Sequence, residues 1–375
     1  MKIKPFQTER FFAVHEFTAA YLLCASDCES LTVDELLQLA GVSYASLGRL
    51  WLGYTESQGA PALRERIAGL YTSVGADQVV SLGAPEEGIF VAMHALLEPR
   101  DEVVVLTPCY DSLANVVEYL GCRVARWSLV EADEPPEGPG GWRLDLDALE
   151  RLVTPRTKLV IVNFPHNPTG YLPSHDEWRA IVRIVERAGA WLFCDEMYRG
   201  LEYDPVARLP SGCDVYEHAI TLGGLSKAYG LPGLRTGWLA LQDRSLKDAI
   251  LGWKDYTTIC ASAPSEALAE IALQIGDVLA GRSRAIVQDN LGLAEPFFAR
   301  WRAVFRWNRP MAGSVALVGL CSQSARDFSD GLAAELGVLL LPGTGLGSDD
   351  RHVRFGFGRR NFGDGLERLD RYLAT

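Results

Sequence analysis

Short apolar, β-branched runs alternate with amphipathic stretches along most of the chain. The runs at 101–107 (DEVVVLT), 123–129, 158–163 (KLVIVN), 190–194 (AWLFC), 219–222 and 236–241 (TGWLAL) read as strands. Between several of them lie helical patterns, the clearest being 174–188 (SHDEWRAIVRIVERA). Apolar strands alternating with helices predict a mostly parallel sheet covered on both faces, an α/β fold. The stretch 131–141 (EADEPPEGPGG) reads as an irregular surface loop. After about residue 281 the texture changes. Helical segments mix with runs at 313–320, 338–341 and 352–357, which suits a smaller α+β domain. The expected division is therefore 46–280 as a large domain and 281–375 as a small one. Residues 1–45 are too few to fold alone and are expected to pack on the small domain.

Composition narrows the function. Of 375 residues, 48% are hydrophobic and 22% charged, as in ordinary globular proteins. A formal net charge of −12 argues against nucleic acid or acidic membranes as partners. The N-terminus lacks the apolar core of a secretion signal, and no apolar run reaches the roughly 18 residues of a membrane span. Eight cysteines form no C-x-x-C pair, and six histidines form no H-E-x-x-H or H-x-H group. Reduced thiols, a cytoplasmic location and no metal are expected.

Open α/β sheets bind ligands at the carboxyl ends of their strands. Reading outward from those ends gives Tyr110, Asn167, Asp195, Tyr198, Ser226 and Lys227. The set matches what pyridoxal 5′-phosphate (PLP) requires: a lysine for an imine, an acid beside the pyridine nitrogen, and donors for phosphate. A carboxylate at Asp195 favours the protonated ring. Lys227, once displaced by substrate, is suited to move a proton at the α-carbon.

At this point the motifs resemble a known family. NFPHNPTG at 163–170 resembles the asparagine–proline signature of class I/II aminotransferases, and DEMY at 195–198 their D-E-x-Y strand end. LSKAYGLPGLR at 225–235 resembles their cofactor-lysine segment. The three occur in family order, and the resemblance spans roughly residues 50–360. It implies a fold-type I PLP enzyme carrying its cofactor as a Schiff base on Lys227. By that resemblance Tyr110 and Met197 lie on opposite faces of the ring, and Asn167 and Tyr198 bond its phenolic oxygen. Asp195 pairs with the ring nitrogen, while Ser226 and Arg235 hold the phosphate, the arginine by a charge-assisted fork. GY at 53–54, followed by Gly59 and Arg64, resembles the segment whose tyrosine reaches a neighbouring subunit's phosphate. Tyr54 thus implies a homodimer with shared sites. Arg354, in HVRF at 352–355, resembles the arginine that binds the substrate α-carboxylate. Asn167 stands beside it in substrate binding.

Two departures concern the phosphate. The turn GAPEEG at 83–88 has Pro85 where many relatives place a hydroxyl residue. Pro85 has no N–H to donate but suits the first position of a helix, so the remaining N–H groups of the turn Ala84, Pro85 and Glu86 are expected to bind phosphate, with the carboxylates of Glu86 and Glu87 pointing away. The second departure is Gly224, where serine or threonine is common.

Transfer of an amino group between an amino acid and a 2-oxo acid is the primary expectation. The segments at 164–168 (FPHNP), 226–235 (SKAYGLPGLR) and 255–257 (DYT) also resemble capreomycidine synthase, which eliminates from and cyclises a hydroxyarginine. Elimination with cyclisation, or carbon–sulfur lysis, is thus the alternative on this scaffold. An acidic residue such as Glu16 suits a guanidinium substrate. A non-enzymatic sensor is expected to carry a DNA-binding domain ahead of this core, where this acidic chain has about 45 residues.

Overall fold

A computed structural model describes residues 2–132 and 140–375. Seven strands form the main sheet, in the order Val79–Leu82, Gly237–Leu241, Ala219–Gly224, Trp191–Asp195, Thr157–Asn163, Glu102–Thr107, Arg123–Ser128. Gly237–Leu241 runs against both of its neighbours, and the other pairings are parallel. Six of the seven coincide with the runs read from sequence. The short edge strand Val79–Leu82 was not anticipated.

Alternation within each strand explains the layering. Val103, Val105, Ile161 and Phe193 face one side, against the helices Pro85–Leu96 and Asp111–Tyr119. Val104, Leu106, Val160, Val162 and Leu192 face the other, against Trp178, Ile181 and Val185 of His175–Ala188. That last helix begins with a Ser174–Glu177 capping box and ends at Gly189 in the left-handed conformation, φ 67°. Such a cap contributes about 1 kcal/mol, which helps fix where the chain turns back to the sheet.

A second, antiparallel sheet has the order Phe305–Arg306, Val315–Leu320, His352–Gly356, Leu341–Pro342. Its core is aromatic, with Phe298, Phe305 and Phe355 packed edge to face. The segment around residues 21–29 runs alongside it: Tyr21 N–H donates to Gly337 O at 3.0 Å, and Gly356 N–H to Leu23 O at 2.8 Å. Ahead of that segment, helix Gln7–His15 reaches back to the large sheet. Thr8 joins the two, its N–H bonded to Asp111 Oδ2 at 3.0 Å and its hydroxyl to Gly345 O at 2.8 Å.

Residues 133–139 of the anticipated loop lie outside the described residues. Its ends are ordered as an antiparallel ribbon, Val130–Glu131 against Trp142–Arg143. Glu131 is no loop residue. Arg306 grips both of its oxygens and His352 Nε2 lies 3.1 Å away, so this carboxylate ties the ribbon to the second sheet.

Candidate active site

Strand register creates the site. Asn163 pairs with Asp195, and Asp195 with Leu222, so three adjacent strands end side by side. Asn163 links their loops: its Nδ2 donates to Asp195 O at 2.8 Å, and its Oδ1 accepts the Asn167 N–H at 2.7 Å. The chain beyond these ends borders a cavity of about 450 Å³.

Asp195, Lys227, Tyr198 and Asn167 all line it, with Tyr110, Met197, Ser226 and Arg235. Asp195 Oδ1 accepts the Met197 N–H at 3.1 Å. Burial raises its pKa to about 6, against the lowering effects of that N–H and of Lys227. Lys227 Nζ donates to Ser26 Oγ at 2.8 Å. Burial, with Arg354 assisting, pulls its pKa below the ordinary lysine range, while Asp27, Glu9 and Asp195 oppose. Tyr198 is 3% exposed, and its hydroxyl is buried with no hydrogen-bond partner among the described residues.

Arg354 sits behind this wall, 1% exposed. Its Nε and Nη2 donate to Cys24 O at 3.2 and 2.9 Å, and Nη1 to Asn167 Oδ1 at 3.2 Å. Its guanidinium lies 5.9 Å from the Phe12 ring. All these partners are neutral. A buried cation with only neutral partners is costly unless an anion completes it.

The phosphate turn is built differently from expectation in one respect. Helix Pro85–Leu96 starts with Ala84 as its N-cap and Pro85 in its first turn, with no side-chain cap. Glu87 does turn away, accepting the Gly83 N–H at 2.7 Å and the Thr258 hydroxyl at 2.7 Å. Glu86 does not: it lines the cavity and accepts the Ser112 hydroxyl at 3.0 Å. Burial pushes its pKa up to about 7, so near neutrality about half of it is protonated, which weakens its repulsion of an anion beside it. The two sequence departures also prove to be one. A Cβ on Gly224 would stand 2.8 Å from Pro85 Cγ, so the proline ring fills the space a side chain would need. Arg235 borders the cavity and donates to Pro232 O at 3.1 Å.

Tyr54 is the exception. Its side chain is 84% exposed and is not part of its own chain's cavity wall.

Of the N-terminal segment, sequence reading singled out only Glu16, which does line the cavity, and missed the rest. Glu9 Oε1 accepts the Tyr110 hydroxyl at 2.9 Å, Phe6 packs on the Tyr110 ring at 4.9 Å, and Ser26 holds Lys227. The recurrence of Glu9, Phe12 and Glu16 at helical spacing carries that signal, since it puts all three on one face.

Residues 20–362 match the family described as aminotransferase class I and II. Capreomycidine synthase of Streptomyces vinaceus is 30% identical over 366 residues, 96% of this chain and 91% of that protein. A PLP-dependent aminotransferase from Streptococcus suis superposes with a TM-score of 0.92 at 31% identity, covering 100% of this chain and 98% of that one. The PLP-dependent cyclase OrfR gives 0.90 at 30% identity, with the same coverage. The chain therefore belongs to the class I and II aminotransferase family, has the fold of its PLP-dependent members, and uses pyridoxal 5′-phosphate as cofactor.

Proposed function

We propose that the enzyme moves an amino group between an amino acid and a 2-oxo acid, with Lys227 as the cofactor-bearing and proton-moving residue. The residues present fit PLP. Tyr198 offers a buried hydroxyl without a partner, the uncapped helix start at Pro85 offers N–H groups, and Arg235 adds a cation at the same wall. When bound, PLP supplies an electron sink conjugated to the substrate α-carbon.

The protein's part follows from its own groups. Asp195, ionised above about pH 6, holds a proton on the ring nitrogen. Asn167 and Tyr198 would donate to the ring's phenolic oxygen. Tyr110, fixed by Glu9 and Phe6, would cover one ring face and Met197 the other. The lowered pKa of Lys227 raises its free-base fraction, which suits it to take the α-proton and return it one atom away. Backbone N–H groups after Ala84, with Ser226 and Arg235, would surround the phosphate, and Glu86, about half protonated near neutrality, would border it.

Arg354 carries this reading. Its buried, neutral-partnered guanidinium next to Asn167 matches an α-carboxylate, the group common to every amino-acid donor. Elimination with cyclisation is the second reading, favoured by the likeness to capreomycidine synthase across 96% of the chain. Product analysis separates them. Transamination gives one 2-oxo acid per cofactor consumed, with visible absorbance restored by adding a different 2-oxo acid. A cyclised product lighter than the substrate by one water, formed with no 2-oxo acid, would establish the second reading instead.

The assembly belongs to the same proposal. Tyr54 lies beside Trp51 and Leu52, all strongly exposed, and such an aromatic patch suits an interface. In a homodimer Tyr54 serves the partner's phosphate, and each site is shared. The eight free cysteines suit a reducing, cytoplasmic setting. Among the described residues no helix is long and apolar enough to cross a membrane. We place the functional boundaries at 46–280 for cofactor binding and 281–375 for the small domain.

A further inference from the structure

The segment at residues 23–29 runs beside the end of strand His352–Gly356 at backbone contact distance. Gly356 N–H donates to Leu23 O, and Glu29 N–H to Gly358 O, both at 2.8 Å. Only glycine permits this approach. A Cβ on Gly356 would stand 1.9 Å from Ala25 O, and one on Gly358 2.4 Å from Asp27 O. Side chains close the clamp: Ser314 Oγ donates to Ser26 O at 2.6 Å, and Asp27 pairs with Arg359 Nη2 at 2.7 Å. The segment is thereby fixed to the second sheet, which also carries Arg354.

One side chain of this segment reaches across to the loop that follows Ala219–Gly224 in the large sheet. Ser26 Oγ accepts from Lys227 Nζ at 2.8 Å. Two residues earlier, Cys24 O accepts from Arg354 Nε and Nη2. A single clamped stretch therefore sets the position of both the lysine amine and the buried guanidinium. The carboxyl groups whose charge favours a protonated Lys227 are Asp27, Glu9 and Asp195, and each is engaged elsewhere. Asp27 faces Arg359, Glu9 accepts from Tyr110, and Asp195 accepts from the Met197 N–H. Ser26 takes the amine directly. That matters because a lysine amine swings on a flexible four-carbon stem, whereas proton transfer needs its heavy atoms within about 2.6–3.2 Å.

We infer that Ser26 is a positioning residue, whose hydroxyl holds the Lys227 amine whenever that amine is free and keeps it in register with Arg354. This rests on the reading of Lys227 as the proton-moving residue. The proton that leaves the substrate α-carbon is carried on Nζ and given back from Nζ, and Ser26 itself neither gains nor loses one. Its hydrogen bond confines the amine between the two transfers. Because Ser26 is fixed to the second sheet, the amine is confined only while that sheet stands against the large one.

Ser26→Ala and Ser26→Thr, each compared with the wild type, test this in two ways. The first needs no amino acid. Full-length protein is loaded with pyridoxamine 5′-phosphate, the amino form of the cofactor, which leaves the lysine amine free. Labelling with limiting acetic anhydride across a pH series, with mass spectrometry of the Lys227 peptide, then gives the apparent pKa of that amine. An acceptor favours the charged amine, so Ser26→Ala should lower the value by about one unit and Ser26→Thr by less than half as much. The second follows loss of visible absorbance in the holoenzyme with whichever of the twenty common L-amino acids bleaches the wild type fastest, carrying hydrogen or deuterium at the α-carbon. Ser26→Ala should slow bleaching at saturation at least about tenfold and raise the isotope effect, with the half-saturating concentration within about threefold of wild type. Ser26→Thr should recover most of the rate. An unchanged pKa, an unchanged isotope effect, or a loss in Ser26→Ala that appears as weaker saturation or a lower unfolding midpoint would overturn the inference. Bleaching by none of the twenty would count against the amino-transfer reading alone, and the labelling result would still decide whether Ser26 holds the amine.

Discussion

Gly224→Ala probes how the phosphate turn is packed. The new Cβ would lie 2.8 Å from Pro85 Cγ and 3.0 Å from Met197 Cε, whereas carbon atoms in contact prefer about 3.5–4.0 Å. Met197 ends in a flexible thioether and gives way cheaply. Pro85 does not. It is fixed in the first turn of its helix, and Gly237 packs so closely beneath it that a Cβ there would stand 2.8 Å from Pro85 Cα. Relief therefore means displacing the helix start, at about 1–3 kcal/mol for overpacking of this kind. Since the same turn offers N–H groups to phosphate, PLP affinity should fall with stability. Pro85→Ala removes the obstructing Cγ, so the double variant should recover part of the loss. The assays are denaturant unfolding and PLP titration on the two single variants and the double. A favourable coupling of about 1–2 kcal/mol is expected. Additivity within about 0.5 kcal/mol, or a fully stable Gly224→Ala protein, would refute the packing argument.

Three further outcomes follow from the site and its supports. Asp195→Asn should cut turnover on the order of a thousandfold while leaving the unfolding transition in place, because a neutral amide cannot hold the ring proton; in the wild-type apoprotein, PLP affinity should fall as pH drops through about 6, where the carboxyl becomes neutral. Tyr54→Phe should weaken PLP binding by about 1.5–3 kcal/mol, and mixing it with Lys227→Ala chains should restore activity above either parent if sites are shared. No recovery from a substantially impaired Tyr54→Phe parent would place Tyr54 within its own chain. Burial works against a charged His352, yet Glu131 and Asp349 outweigh it and raise the pKa. The stability this gives is full below the unfolded pKa and lost as pH rises through the folded value. His352→Gln should therefore destabilise at about pH 6 and much less at about pH 9; equal losses at both would count against the ion cluster.

Five of the seven strands of the large sheet were legible because they are buried on both faces, so their apolar runs stand out from the helices between them. Val79–Leu82 escaped because four residues at a sheet edge, flanked by glycine and glutamine, carry little periodicity. The site's floor was legible for a related reason: Asn167, Asp195 and Lys227 each follow a strand directly, and local sequence places them. Its walls were not. Ser26, Glu9 and Phe12 reach the chamber from a segment over a hundred residues away from the groups they touch; helical spacing puts Glu9 and Phe12 on one face, but what that face packs against is set by long-range contacts. Glu86 illustrates a further limit. Charge repulsion predicts that it turns outward, but burial outweighs the Ser112 hydrogen bond, raises its pKa to about 7 and so weakens the repulsion. Gly224 and Pro85 look like two independent departures along the chain and become one complementary contact only when their strand and helix meet.

The assignment of Lys227 as the residue that carries PLP underlies every role given to the chamber. Borohydride reduction of the purified holoenzyme, followed by peptide mapping with mass spectrometry, measures it directly. The label should fall on Lys227, within the peptide that includes Ser226 and Tyr229, and visible absorbance should be lost in step with labelling. Label on another lysine such as the fully buried Lys254, or no covalent label at all, would contradict the assignment.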